Sequence, residues 1–402
     1  MKRYTYKAKD KKTGKVVSGH VQAESERVAG RILVDQGYVP QKVVEEKNDG
    51  FFSKLQNRVT AKQRVIFTRQ FATLIGAGLP LSTALRMVAE QTEDKPMKAL
   101  VEDILAQVEG GKTLYDAFSK HSDVFNKVYL ALIAAGEASG TLDVSLKRLA
   151  EQQEKDMAMI SKIRGAMTYP AIVLLVIVVV VIFMMVAVVP QVENLYRDMG
   201  KELPIFTLIL VAISNFFAKF WWLLLILLGV AVWFFAQFRR TDTGQKFLSK
   251  LKLNVPVFKG LFQRLYNARF ARTAQMLLSA GVPMLDAIKI SAEAMNNIIL
   301  EEEMMEAATM VRSGKPLSVA LKGRDYILPL LPQMSATGEQ SGKIDEMLGK
   351  AAKVYEDELD ERIAAIATAI EPILMVTLAL VAALIVGAIL FPIYSLVNDI
   401  HA

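Results

Sequence analysis

The residues most suggestive of chemistry are Gly110-Gly111-Lys112-Thr113. In a phosphate-binding loop, backbone amides cradle phosphates, the lysine reaches the terminal phosphate and the hydroxyl holds magnesium. That geometry requires a glycine five residues before the Gly-Lys, where this chain has Ala106, and a strand ahead of the loop, where Val101 to Val108 has a helical pattern. The stretch is therefore read as a turn between helices, and the chain as no ATPase. Metal chemistry is equally poorly supplied: there is no cysteine, and the three histidines, His20, His121 and His401, are scattered. No histidine pair has the spacing that puts two imidazoles on one helical face. The acidic pairs and runs, Asp357-Glu358 and Glu301 to Glu303, read as solvated faces. No nucleophile–base pair stands out. The expectation is no enzymatic activity, no cofactor and no metal, and without a basic stripe interleaved with aromatics, no nucleic acid.

The sharpest polar pattern is Gly-Glu-x-Ser-Gly, which occurs twice, at Gly136-Glu137-Ala138-Ser139-Gly140 and Gly338-Glu339-Gln340-Ser341-Gly342. As a structural device it is a tight interhelical turn. The final glycine takes a left-handed conformation, the serine caps the next helix and the glutamate satisfies nearby amides. As a functional device it presents a partner surface. The two readings are compatible.

The duplication extends well beyond this motif. Arg69-Gln70-Phe71 through Ala77-Gly78-Leu79-Pro80-Leu81 aligns with Arg272-Thr273-Ala274 through Ala280-Gly281-Val282-Pro283-Met284. Gly111-Lys112-Thr113-Leu114 aligns with Gly314-Lys315-Pro316-Leu317, so the second copy lacks the magnesium-binding hydroxyl. Pro170 then meets Pro372, and Pro190 meets Pro392. A series of matches in order defines an internal repeat. In each copy, helical spacing dominates: Leu81, Ala84, Leu85 and Val88 in the first, Met284, Ala287, Ile288 and Ser291 in the second. Gly78 with Pro80, and Gly281 with Pro283, mark a helix stop followed by a helix start. Helices joined by short turns predict a bundle in each copy.

Each bundle runs into an apolar segment. Of the 402 residues, 52% are apolar and 22% charged, and the excess over an ordinary soluble composition is concentrated in three places. No charge occurs from Gly165 to Val192, whose core is Ala171 to Val189. A second run, Leu203 to Phe238, is interrupted by Lys219; its better half begins at Phe220, with Trp221-Trp222 at one end and Arg239-Arg240 beyond the other. The third runs from Pro372 to Val397. About 20 apolar residues cross a bilayer as a helix, so spans are placed at 170–190, 219–238 and 372–394. Pro204 to Ala218 is read as an interfacial helix in a 191–218 periplasmic segment. Pro170 and Pro372 are read as kinks where helices meet the membrane.

Loop charge sets orientation. Arg239, Arg240, Lys246, Lys250, Lys252, Lys259 and Arg264 crowd the stretch after the second span, against Asp242. Positive flanks stay in the cytoplasm, so 48–169 and 239–371 are expected as cytoplasmic helical domains, with a periplasmic tail at 395–402. Met1 to Asp10 is polar and reads as no cleavable signal. Residues 1–47 form a small α+β unit: strands around Tyr4 to Ala8, Val16 to Val21 and Val39 to Val44, a turn at Lys12-Thr13-Gly14, and a helix from Ser25 to Gln36. Glu45 to Phe51 is its linker. The fold class expected is an all-α integral membrane protein with two repeated cytoplasmic helical bundles, three transmembrane helices and this small N-terminal domain.

With its doubled helical domain, Gly-x-Pro and Gly-Glu-x-Ser-Gly segments and a span after each copy, the chain resembles the inner-membrane platform family of type IV pilus and type II secretion systems. The stretch Tyr6-Lys7-Ala8 to Gly19, with Gly37 and Pro40, matches that family's N-terminal extension. The resemblance covers essentially the whole chain. It implies a six-helix bundle per cytoplasmic domain, self-association as dimers and residence in the bacterial inner membrane. It also implies contacts with a hexameric cytoplasmic assembly ATPase, with pilin or pseudopilin helices and with other inner-membrane assembly proteins. The platform would carry motion from the ATPase to subunits entering a filament. The rival reading, a transporter or channel component, calls for ionisable residues deep inside the spans; the charged side chain they hold is Lys219, at the edge of the second.

Overall fold

The N-terminal strands alternate in residue type and form a sheet of order β2-β1-β3: β1 (Lys2–Asp10), β2 (Val16–Ala23) and β3 (Tyr38–Glu45). Both pairings are antiparallel, with Tyr6 opposite Gly19 on one side and Val43 on the other, and a register shift at Lys7/Ala8. The computed structural model describes residues 2–10, 16–23, 28, 30, 33, 34, 37–45, 59–198, 205–239 and 241–400. The expected Lys12 to Gly14 turn, the Glu46 to Phe51 linker, Pro204 and His401 lie outside them, as does most of the Ser25 to Gln36 helix, of which Val28, Gly30, Leu33 and Val34 are helical.

Six helices make up the first copy: α1 (Ala61–Gly76), α2 (Leu81–Gln91), α3 (Lys95–Glu109), α4 (Leu114–Ser119), α5 (Lys127–Ser139) and α6 (Leu142–Phe183). Beyond α6 come a π-helical turn, Met184–Val188, then α7 (Val189–Asp198) and α8 (Ile205–Phe238). The second copy repeats the pattern after one extra helix, α9 (Asp242–Asn254). Its six are α10 (Pro256–Ser279), α11 (Met284–Ala294), α12 (Ile298–Arg312), α13 (Leu317–Leu321), α14 (Leu330–Ser341) and α15 (Ile344–Ile400).

Local sequence explains these boundaries. Gly78 and Gly281 both sit at φ near +82°. Each lets the following amide, Leu79 or Val282, donate back to the carbonyl of Leu74 or Leu277, closing the helix end. The next helix starts at once, with the Pro80 and Pro283 carbonyls accepting from the Ala84 and Ala287 amides.

The described chain divides into two compact units, 1–67 with 85–106, and 68–84 with 107–402. In the first, Val65, Phe67, Leu85, Val88, Leu100, Val101 and Ile104 are buried. In the second, Phe118, Phe125 and Tyr129 stack within one aromatic cluster, with centroids 4.6–5.4 Å apart. The core of the second copy joins Phe270, Ile288, Met304, Leu331 and Leu348, and α10 packs along α15. Met159, Ile163 and Ala166 of α6 also pack against this core.

Among the described residues, three helices are long and apolar enough to cross a membrane, within Leu142–Asp198, Lys219–Phe238 and Ile344–Leu384. The sequence separates Pro204 to Ala218 from the second span. In the structure 205–218 and the span both belong to α8, which is interrupted in its dihedrals at Phe220 (φ −113°, ψ 16°), beside Lys219. The first part of α8 is seated against the end of α6: Ser214 is buried and its hydroxyl donates to the carbonyl of Met185 in the π turn. Asn215 reaches Glu193 of α7. A π turn widens the helix by one residue, and a side-chain donor on the freed carbonyl is one way it is accommodated.

The acidic run of α12 is not one solvated face. Glu302 is exposed and pairs with Lys246 at 2.7 Å. Glu303 is half-buried, and its Oε2 has no hydrogen-bond partner. Burial pushes its carboxyl above the ordinary 4.5, against the pull of nearby Arg324. A carboxyl raised in the folded state favours unfolding once the pH exceeds its unfolded value, and the penalty vanishes below that value. Glu303→Gln is therefore expected to raise the thermal midpoint at pH 7 and give little gain near pH 4. An equal gain at both, by melting of the detergent-solubilised protein, contradicts this.

Candidate functional site

The two motifs that looked separate in sequence form one local structure. Helix α4 begins directly after Gly111-Lys112-Thr113, with Gly111 at φ +83° and the Thr113 hydroxyl accepting from the Asp116 amide at 3.0 Å. The remaining amides at that helix start, Leu114 and Tyr115, donate to the two oxygens of Glu137 at 2.7 and 3.0 Å. A helix N-terminus attracts an anion because its amides lack intrahelical acceptors and its dipole is positive there. Here the chain's own carboxylate occupies the place a phosphate would take. The second copy repeats the device with altered parts. Pro316 replaces the capping threonine, and Glu339 accepts from the Ser318 amide at 3.3 Å and from the Ser318 hydroxyl.

The glycines of the motif have distinct duties. A Cβ on Gly136 would lie 2.8 Å from Ser145 Oγ and 3.1 Å from Leu142 Cα. On Gly338 it would lie 2.6 Å from Ile344 Cα. Both therefore allow the helix ends to close against the start of the following helix. Gly140 and Gly342 instead sit at φ +72° and +70°, reversing the chain so that Thr141 and Lys343 donate to the Gly136 and Gly338 carbonyls at 2.9 Å. Contrary to the expectation from the motif, the serines do not cap the next helix. Ser139 donates backward to the Ala135 carbonyl at 2.6 Å, and Ser341 to Thr337 at 2.8 Å. At the last residue of a helix the carbonyl one turn back is nearer to the serine hydroxyl than the next helix's amides. Thr141 holds the N-cap position of α6.

A second paired feature was not legible in the sequence. Arg272 of α10 makes a two-pronged contact with Glu356 of α15, Nε to Oε1 at 2.9 Å and Nη2 to Oε2 at 2.8 Å. Arg69 of α1 does the same with Glu154 of α6. Fork-to-fork pairing fixes direction as well as distance. The partners are 84 and 85 residues apart, so only the bundle topology brings them together. What marks them is the repeat: both arginines open the aligned segments, and both glutamates stand at the same register ahead of Pro170 and Pro372.

At those prolines α6 and α15 continue; neither helix stops where the apolar segment begins. Each proline removes one amide donor and leaves the carbonyl one turn before it unpaired within the helix. Among the described residues, the ion pairs Lys127–Glu293 at 2.8 Å and Lys162–Asp360 at 2.6 Å join the copies, and hydrogen bonding to Glu293 holds the Lys127 ammonium above its ordinary range.

Two copies of a six-helix series, each with a capped turn, an arginine–glutamate clamp and a final helix continuing into an apolar segment, define a duplicated helical membrane protein. The family model described as "Type II secretion system (T2SS), protein F" matches residues 67–190 and 270–392, and the N-terminal domain model of the same protein matches 1–44. Similar proteins include the type IV pilus assembly protein PilC of Thermus thermophilus, 36% identical over 99% of this chain and 98% of the relative. Two from Aeromonas hydrophila are the pilus assembly protein TapC, 35% identical over 95% and 93%, and type II secretion system protein F, 34% identical over 94% and 99%. The chain belongs to the type II secretion system protein F family of structural membrane platform proteins.

The side chains of Arg272 and Glu356 are only 15% and 18% exposed, against 40% and 39% at Arg69 and Glu154. Breaking the mostly buried pair with Arg272→Ala is expected to cost about 3 kcal/mol, and breaking the wetter one no more than ~1 kcal/mol. A double-mutant cycle at Arg272 and Glu356 should return a coupling of at least ~1 kcal/mol; additive single effects contradict the clamp. Gly338→Ala is expected to destabilise more than Gly349→Ala, whose added Cβ meets only the flexible Gln275 side chain at 3.2 Å; equal melting midpoints contradict the close-approach argument.

Proposed function

We propose that this protein is the inner-membrane platform of a type IV pilus or type II secretion machine, coupling a cytoplasmic assembly ATPase to insertion of pilin or pseudopilin subunits into a growing filament. The observation that carries the proposal is the continuity of α6 and α15, 42 and 57 residues long. At 1.5 Å per residue they extend about 63 and 85 Å, so a bundle and its membrane segment share one rigid element.

In this reading 1–47, 48–169 and 239–371 are cytoplasmic, 170–190, 219–238 and 372–394 cross the bilayer, and 191–218 and 395–402 face the periplasm. The basic cluster from Arg239 to Arg264 supports that orientation. The ATPase supplies the chemistry; the bundles receive its motion at exposed turns such as that carrying Tyr115, beside the Glu137 cap. The arginine clamps pass that motion to the stems. Ala382, Ala383 and Gly387 offer a face of small residues along which a subunit's helix can approach closely. The ion pairs between the copies are largely solvated, and such pairs contribute ~1 kcal/mol or less, so during a working cycle they break and re-form at little cost beyond that of the apolar contact that Met159, Ile163 and Ala166 of α6 make with the second copy. Self-association and contacts with other inner-membrane assembly proteins complete the machine.

The test uses Lys127→Cys with Glu293→Cys in a chain free of native cysteine. Locking the copies together with a short bis-maleimide is expected to stop filament assembly, while either single variant assembles normally after the same treatment. Undiminished assembly with fully crosslinked protein contradicts the proposal.

A further inference from the structure

Helix α9 has no counterpart in the described part of the first copy, and the platform reading gives it no task. It begins immediately beyond the span Lys219–Phe238 and turns back so that its first turns meet the end of that span. The fold-back depends on Gly244, where a Cβ would lie 1.8 Å from the Phe238 carbonyl oxygen. The rings of Phe238 and Phe247 meet edge to face at 6.2 Å. Phe238 is the last residue of the spanning segment, so Phe247 lies at the depth where hydrocarbon gives way to headgroups.

The two faces of α9 differ. Leu253 is buried in the core of the second copy, and Asn297 reaches the Ser249 carbonyl at 3.5 Å, pinning that side to the bundle. The opposite side carries Phe247, 57% exposed, and Leu251, 48% exposed, one turn apart, flanked by exposed Lys246 and Lys250. Lys246 shares its ammonium with Glu302, and Lys252 stands 5.9 Å over the Phe262 ring, so Lys250 is the cation most available outward. Two large apolar side chains beside lysines, at the end of a span, have the composition of a helix lying in a membrane interface.

We propose that α9 lies on the membrane surface, with Phe247 and Leu251 inserted at the acyl boundary and Lys250 contacting anionic lipid headgroups. The occupant of this face is the bilayer that the chain itself spans: the face is continuous with the spanning helix and its charge is complementary to acidic lipid. The inference rests on Lys219–Phe238 crossing a bilayer.

The full chain, reconstituted in nanodiscs of phosphatidylcholine with or without phosphatidylglycerol, is labelled with an environment-sensitive fluorophore at Phe247→Cys, Leu251→Cys, Leu227→Cys or Val354→Cys. Lipids with a spin label at a shallow acyl position serve as quenchers. Quenching is expected at 247 and 251 as well as within the span at 227, and not at 354 on the α15 stem. It is expected to be stronger with phosphatidylglycerol, and Lys250→Gln is expected to weaken the anionic contribution by roughly fivefold. Quenching at 227 but not at 247 or 251 overturns the inference while leaving the span intact. No quenching at 227 overturns the span and this inference with it. Quenching at 247 and 251 that ignores phosphatidylglycerol overturns the role given to Lys250.

Discussion

A backbone inside hydrocarbon has no water to satisfy its amides and carbonyls, so a spanning segment must supply every partner from within itself. Helices α6 and α15 meet that demand by being a single element from bundle to membrane. The rest of the structure follows from it. The prolines at 170 and 372 each remove one donor at the start of the apolar segment, and the helices absorb the loss without ending. The arginine clamps grip the stems on the bundle side, where a fork-to-fork pair can fix rotation about the helix axis as well as position. The π turn at Met184–Val188, directly beyond α6, shifts the register of the helical ladder, and the Ser214 hydroxyl donates to its Met185 carbonyl.

The capped turns show how little freedom the polar motifs retain. Glu137 and Glu339 are spent on helix starts inside their own copies, the first glycines on close approach and the last on a left-handed turn. That the second copy keeps the carboxylate while exchanging Thr113 for Pro316 shows which part the geometry demands: the anion at the helix start is retained, and the capping hydroxyl is not. A partner meeting this turn would therefore contact its exposed neighbours rather than the glutamate itself.

Period and composition exposed most of the architecture. The repeat, the three apolar segments, the N-terminal strands and the helix stops at Gly78 and Gly281 each depend on residues close together in the chain. What stayed hidden depends on long-range packing. Nothing local to Arg272 names Glu356 as its partner. Nothing local to Glu303 distinguishes it from Glu301 and Glu302, because burial on one side of α12 is decided by what packs there. Ser139 was open to two local hydrogen bonds, forward to the next helix or back to its own, and side-chain identity alone does not choose. The break at Phe220 was signalled only by Lys219 interrupting an apolar run, which fits a loop as well as a bent helix. The Gly-Lys-Thr segment and the Gly-Glu-x-Ser-Gly turn were each legible, but their union needed the fold.

The central claim is that each stem and its membrane segment form one continuous rod. Because the chain has no native cysteine, paired spin labels can be placed at Glu151 and Ile182, both exposed on α6, in membrane-embedded full-length protein. Pulsed electron resonance should give a narrow distance distribution centred at about 47 Å, the rise of an unbroken helix across that interval. A distribution that is broad, or centred well short of that length, would show that α6 yields at Pro170, and motion of the bundle could then not reach the bilayer along it.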